Sequence, residues 1–494
     1  MISAYPKTMK PHAVSKASVF IMILIVSSSL AMVKNVNAEG SFHGVITQSA
    51  TWTKANNPYT LDGPTSIASG VTITVEPGVT VNLNGYYLQV NGSLIVRGTA
   101  NEKIYFTNGR IIYTSASPGG TVFEYTVTDE LHTATTLTIT KNTFNKLAAG
   151  GSSTVTDNLI ANLGAEDSAT ITKNQITKSC DASGSAKITQ NNIQTRVVFR
   201  GGSTTIISNN QISDGVHCDS GGGTVIITDN QITNTNKYPI IFITAAEATV
   251  SNNKIIGQNT PDSGIRVMGS YHSSKQSRVT ITGNQISGCK TGVEFSGGWG
   301  TIKQNVIINN NLGMSISVSS SFSIPASGTN VGTVEQNTIA KNGVGLQYSP
   351  EQLAVTIQNN NLQDNSNYNF KITGTGDVSI PNNYWGSTST DEIKQKIYDY
   401  NYDFNLGKVN YTPILNQPAA GAPAVPSDVP TIAPTQTPTN QPTINPATPT
   451  NAPSQPANPT PFELNIVEVA ILVVLVIIAV LLAVLIVTIR SKKK

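Results

Sequence analysis

From residue 71 to 96 apolar side chains fall on alternate positions. Val71, Ile73 and Val75 are followed, beyond Pro77-Gly78, by Val79 and Val81, then by Leu88 with Val90 and Leu94 with Val96. A period of two predicts strands with one buried face, and the Pro-Gly break predicts a turn between two of them. Farther on, the alternation is punctuated by a recurring phrase: an Asn, any residue, then Ile or a substitute. It begins at Asn142 and returns at Asn158, Asn174, Asn191, Asn210, Asn230, Asn253, Asn284, Asn305, Asn337, Asn360 and Asn383. The intervals are 16, 16, 17, 19, 20, 23, 31, 21, 32, 23 and 23 residues. A loose period of this kind predicts a solenoid, in which each copy is one coil that cannot bury its apolar side alone.

One repeat shows what kind of coil. Gly215-Val216-His217-Cys218-Asp219 and Thr224-Val225-Ile226-Ile227-Thr228 are two β-rich runs separated by glycines, with no helical period between them. Parallel strands in βαβ units need crossover helices, which are missing. Stacking each strand on its counterpart in the next coil, about 4.8 Å away, remains open. The expected fold is therefore all-β, a parallel β-helix of about fifteen coils and roughly 70 Å. Asn suits a sharp corner because it tolerates left-handed backbone, and equivalent amides in successive coils can hydrogen-bond in a ladder. The pairs Gly215-Val216, Gly264-Ile265, Gly292-Val293, Gly313-Met314 and Gly343-Val344 restart a strand after the next corner. A β-sandwich with Asn-rich turns is the competing fold, but it leaves one tripeptide recurring in one phase unexplained.

The ends differ in pattern. Residues 1–38 carry Lys7, Lys10 and Lys16, a short apolar run at 19–26 and small residues before Glu39, the form of a secretory signal. Residues 39–136 hold the first coils, with the segment around Trp52 and Tyr59 as an N-terminal cap. The repeats occupy 137–388. In 389–415 a C-terminal cap begins with Ser389-Thr390-Asp391-Glu392, a capping box with Ile393 and Ile397 on one face of a helix over 389–400, and Val409 to Leu415 are expected to add a last strand. Residues 416–465 are rich in Pro, Thr, Ala and Asn and predict an extended stalk. Residues 466–489 contain the uncharged apolar run 469–489, about 31 Å as a helix, long enough to span a bilayer. The basic tail 490–494 predicts a cytoplasmic C-terminus and an ectodomain outside. A tail anchor is the alternative, with the β-helix in the cytosol.

Charged residues make up 12% of the chain and the formal charge is +3, much of it at the two ends. That gives no support to a nucleic-acid partner. Three cysteines in an exported chain cannot all pair, and Cys180 and Cys289 read as small buried side chains. Asn91-Gly92-Ser93 and Asn410-Tyr411-Thr412 are sequons for N-glycosylation.

The segment 70–81, with Val90-Asn91-Gly92-Ser93-Leu94 and Gly98-Thr99, resembles the opening of exported right-handed parallel β-helix proteins of archaea and bacteria. The repeats resemble those of the pectin-lyase-like superfamily, and Asn382-Asn383-Tyr384-Trp385-Gly386 looks like the closing motif of such proteins. The resemblance covers roughly residues 45–415 and implies a right-handed helix. For function it implies several classes: polysaccharide lyases and hydrolases, adhesins, surface-layer proteins and copper-site accessory proteins. The Pro/Thr stalk with a single anchor looks archaeal by the same analogy.

The residues were tested against those chemistries. Hydrolysis needs two carboxyls about 5–9.5 Å apart. The Asn-Thr-Asp, Gly-Asp-Asp and Gly-His-Gly motifs of polygalacturonase-like enzymes are absent, and Asp219 and Glu294 fall about 14 Å apart by coil count. A lyase would add calcium, but no cluster of several acids is present to hold it. Five His in the whole chain give no metal set, and adjacent His217 and Cys218 point to opposite faces. What remains is a row of outward residues on the restart strands, Arg200, His217, Asp219, Arg266 and Glu294, with Arg266 and Glu294 paired on adjacent coils. Tyr238, Tyr271 and Trp299 on nearby loops complete a candidate groove for an extended glycan. The expectation is a non-catalytic, membrane-anchored surface protein without cofactor or metal, contacting polysaccharide or surface-layer components. The alternative is a polysaccharide lyase or hydrolase, with a copper-site accessory protein third.

Overall fold

The computed structural model describes residues 41–427 apart from 220–221, 245, 270–276, 318–329 and 351–353, with backbone alone at 219, 299, 330 and 331. These residues belong to one compact unit, 1–435. The signal segment 1–38, most of the stalk and the apolar run 469–489 lie outside the described residues. No helix among the described residues is long and apolar enough to cross a membrane.

Alternation becomes a coil of three strands. In one coil they are Gln211–Ile212, Gly215–Asp219 and Thr224–Thr228. Each pairs in parallel with its counterpart one turn on, Gln231–Asn234, Ile241–Thr244 and Glu247–Ser251. The first face follows the repeated Asn, the second follows the restart, and the third leads into the next Asn. The first two join in a sheet of 26 strands, because in early coils one strand such as Gln175–Ala182 bends through both. The third face is a separate sheet of 15 strands. Inward positions stack like on like: Ile160, Ile176, Ile193, Ile212, Ile232, Ile255, Ile286, Ile307 and Ile339 are successive neighbours, and all are buried. Each contributes about 2 kcal/mol of burial.

The repeated asparagines form one buried column. Asn158 Oδ1 accepts from the backbone N–H and the Nδ2 of Asn142, both at 2.9 Å, and Asn158 Nδ2 donates to Asn174 Oδ1 and to the carbonyls of Ile139 and Thr156. The amide-to-amide bond continues through every later member to Asn383. A corner strips backbone groups of their sheet partners, and an amide can donate and accept at once to replace them. The left-handed backbone expected of these asparagines belongs instead to the residue before each: Lys141, Asp157, Lys173, Gln190, Asn209, Asp229, Asn252, Gln304, Gln336, Asn359 and Asn382, with Gly283 in the same place. A second ladder was not foreseen. Asn310, Asn342 and Asn365 stand five residues beyond Asn305, Asn337 and Asn360, linked amide to amide and ending on Asn369. Cys289 takes the same corner one coil earlier, its N–H donating to Asn310 Oδ1. Cys180, Cys218 and Cys289 are buried thiols outside any disulfide, and burial pushes the Cys289 thiol up to about 12.

Three expectations are corrected. The glycine equivalent to Gly313 is Gly345, not Gly343, because Met314 pairs with Leu346 and an added Cβ on Gly313 would meet the Gly345 carbonyl at 2.5 Å. The terminal helix is Thr390–Gln395 only; Ser389 caps it, but Glu392 reaches back to Ser387 Oγ, and Ile397 leaves the helix to pair with the last coil. The final strand is reduced to Val409–Asn410, beside Val378–Ser379. At the N-terminal end Trp52 and Tyr59 are buried in the first coil: Trp52 stacks on Tyr59 at 5.3 Å, and their strands pair in the two main sheets.

Residues 419–425, expected to lie in an extended stalk, are packed against the coils instead. The chain turns back along the first face: Ala419 N–H donates to Asn361 Oδ1, Gln336 Nε2 to the Ala420 carbonyl and Thr338 Oγ1 to the Pro423 carbonyl. Val425 then covers Val306, Ile308 and Ala340, outward positions that are apolar here. Leucine at Asn230 would leave the Asn210 N–H without its acceptor, remove one of two acceptors from Asn210 Nδ2, and withdraw the buried amide donor from the Ile207 carbonyl and from Asn253 Oδ1. Asn230→Leu is expected to cost roughly 3–5 kcal/mol in urea denaturation, whereas Asp229→Gly at the left-handed position costs under about 1 kcal/mol.

Candidate functional site

Cross-strand register decides which outward side chains meet on the second face. His217, Phe242, Arg266 and Glu294 are successive neighbours in one column. Arg266 Nε donates to Glu294 Oε2 at 2.6 Å, Ser263 Oγ donates to the same oxygen, and Ser296 Oγ donates to Oε1 at 3.3 Å. Both charged side chains are only about a quarter exposed. With both its oxygens engaged, the carboxylate is a fixed anchor, and its register neighbours on the adjacent coils, Arg266 and Ser315, are not acids with which it could form a two-carboxyl pair. The His217 ring packs against Phe242 at 5.5 Å, with Nε2 3.4 Å from the Pro239 carbonyl oxygen.

The remaining candidates scatter. Arg200 lies past the end of its strand and bonds Asp181 at 2.8 Å. Tyr238 is at the corner between the first and second faces, exposed, with the Arg196 guanidinium 5.7 Å from its ring centre. Arg196 in turn reaches Asp214, which also accepts from Asn236, and the Arg196 Nε is buried with no hydrogen-bond partner in the structure. Trp299 is not on a loop beside the groove: it opens the strand Trp299–Lys303 on the third face, in register with Arg278. Tyr271 and the side chains of Asp219 and Trp299 lie outside the described residues. Among the described residues no three His, Cys, Asp or Glu converge as a metal would require.

Two features escaped the sequence reading. On the third face Thr140, Thr156, Thr172, Thr189, Ser208, Thr228, Ser251 and Thr282 form an unbroken outward column of hydroxyls. Thr249, Thr280, Thr301, Thr333 and Thr356 run beside it, and a 630 Å³ depression opens there between Glu247, Arg278, Gly300 and Gly332. The signal was the Thr-x-Thr preceding several repeat asparagines. On the second face, toward the N-terminal end, Glu130 Oε1 accepts from His132 Nε2 at 2.6 Å and Lys146 Nζ at 2.7 Å. No motif marks this cluster; only coil register brings it together.

The right handed beta helix region, as a family, matches residues 131–331 and again 214–385, together just over half the chain. The chain belongs to this family. No curated protein and no solved structure matches it. The β-helix family assignment agrees with the parallel coils and leaves the chemistry to the surface residues.

Partial burial pushes the Glu130 carboxyl up, but the bonds from Lys146 and His132 outweigh it and hold the group below its ordinary 4.5. A depressed acid stabilises the fold above its unfolded value and loses that contribution as pH falls through the folded one. Melting temperature followed from pH 6 down to about 3 should therefore drop less steeply below about 4.5 in Glu130→Gln than in the parent.

Proposed function

We propose that this β-helix protein is a surface rod that binds glycans without cleaving them, exported by the segment 1–38 and anchored through 466–489. The observation that supports it best is repetition. A hydroxyl column renewed in eight successive coils from Thr140 to Thr282, about 4.8 Å apart, offers the same contact again and again. An extended polymer uses such repetition, whereas catalysis needs one locus unlike the rest. Polysaccharide or surface-layer components are the partners this favours, with the membrane as attachment; no nucleic acid, cofactor or metal is invoked. An exposed Tyr238 over Arg196 adds a stacking platform at the edge of the second face.

The test is incubation of the protein with acidic and neutral polysaccharides, with and without calcium, following both polymer length and retention of protein on the polymer. Retention with unchanged length is expected. Shortened chains would make it a lyase or hydrolase, and no retention on any polymer would remove the glycan reading.

Of the two sequons only one presents its amide. Asn91 Nδ2 donates to Ser66 Oγ, and its Oδ1 accepts from Thr114 Oγ1 and Gln89 Nε2. Asn410 is exposed, and its Oδ1 accepts the Thr412 N–H and hydroxyl. Expression in a host that N-glycosylates should modify Asn410 and leave Asn91 bare, read by peptide mass spectrometry; glycan on Asn91 would mean that modification precedes folding.

A further inference from the structure

Toward the N-terminal end of the second face the outward column reads His132, Ala148, Gly164, Asp181. A methyl and a bare backbone lie between two long side chains, so the face sinks for about 14 Å, three coil spacings. Two residues back on the same strands Glu130, Lys146, Asn162 and Ser179 form one wall. The depression has a volume of about 490 Å³ and is also lined by Glu166. That is the size of a small-molecule site, though no large apolar ring stands out over it.

The wall is polar and held in place. Asn162 Oδ1 accepts from Ser179 Oγ at 3.1 Å while its Nδ2 donates to the Asn145 carbonyl, so the amide is fixed. Lys146 neutralises Glu130, and Arg200 neutralises Asp181. Glu166 is exposed at the rim and has no ion-pair partner among the described residues. The lining therefore offers hydroxyl, amide and carboxylate contacts with one negative charge left over. A divalent cation would ask for several convergent free oxygens, and one free carboxylate does not supply them.

We propose that this depression binds an amino-sugar unit of a glycan, its hydroxyls held by Asn162, Ser179 and Asp181 and its ammonium by Glu166. The proposal rests on the glycan-binding reading and adds the class of sugar. A charge-assisted hydrogen bond to the ammonium gives the selectivity.

The experiment is calorimetric titration of the protein with a β-1,4-linked glucosamine tetramer and with its N-acetylated counterpart. The free-amine tetramer is expected to bind about tenfold tighter at low salt. Glu166→Gln should bring the two to near parity. Gly164→Leu should abolish binding of both without changing the melting temperature, since a Cβ there meets nothing nearer than Glu166 Oε1 at 3.8 Å. Equal affinities in the parent, or a preference that survives Glu166→Gln, would overturn the proposal. If neither tetramer binds while polysaccharides still retain the protein, only this site fails; if retention fails as well, the glycan reading falls with it.

Discussion

The buried amide column is the constraint on which the rest depends. A coil that turns three times must leave backbone donors and acceptors at its corners without strand partners. Each Asn resolves this by bonding its own coil and both neighbours at once, as Asn158 does with Thr156, with Ile139 in the coil before and with Asn174 in the coil after. Because every link spans one coil spacing, the ladder fixes the coils in phase even where the chain between them lengthens. The interval from Asn253 to Asn284 is 31 residues, yet their amides meet at 3.0 Å as the 16-residue neighbours do. The core columns stay continuous across the longer interval.

That phase-locking gives the surface its character. Once the corners are fixed, outward residues fall into columns, and chemistry is decided by what each coil adds to its column. A run of threonines and serines makes a hydroxyl strip, a Gly beside an Ala makes a depression, and Arg266 over Glu294 makes a closed ion pair. These are cross-coil properties, and no single repeat contains them.

This is also why the sequence was legible in some places and not in others. The repeat asparagines could be read because one residue type does one job in every coil. The left-handed corner position was missed because Lys, Asp, Gln, Asn and Gly all serve there, so identity carries no signal. Gly343 was chosen over Gly345 because counting from the nearest Gly ignores the register that Met314 and Leu346 impose. Trp299 was assigned to a groove loop although the strand it opens belongs to the third face. The cluster of Glu130, His132 and Lys146 depends on a 16-residue offset, and nothing local advertises it. One clue was present and unread: Val306-Ile307-Ile308 breaks the alternation, and its outward members lie under Val425.

The returning segment that ends in Val425 has a mechanical consequence. It runs back along the rod from the last coil, contacting in turn Asn361, Thr338 and Val306. A pull on the chain beyond it, directed past the last coil, would peel these contacts one at a time, starting from Val425. About ten residues would pay out, roughly 33 Å of chain, before tension reached the pairing of the final coil. Any load on the chain past Val425 would therefore meet these contacts before it met the pairing of the final coil.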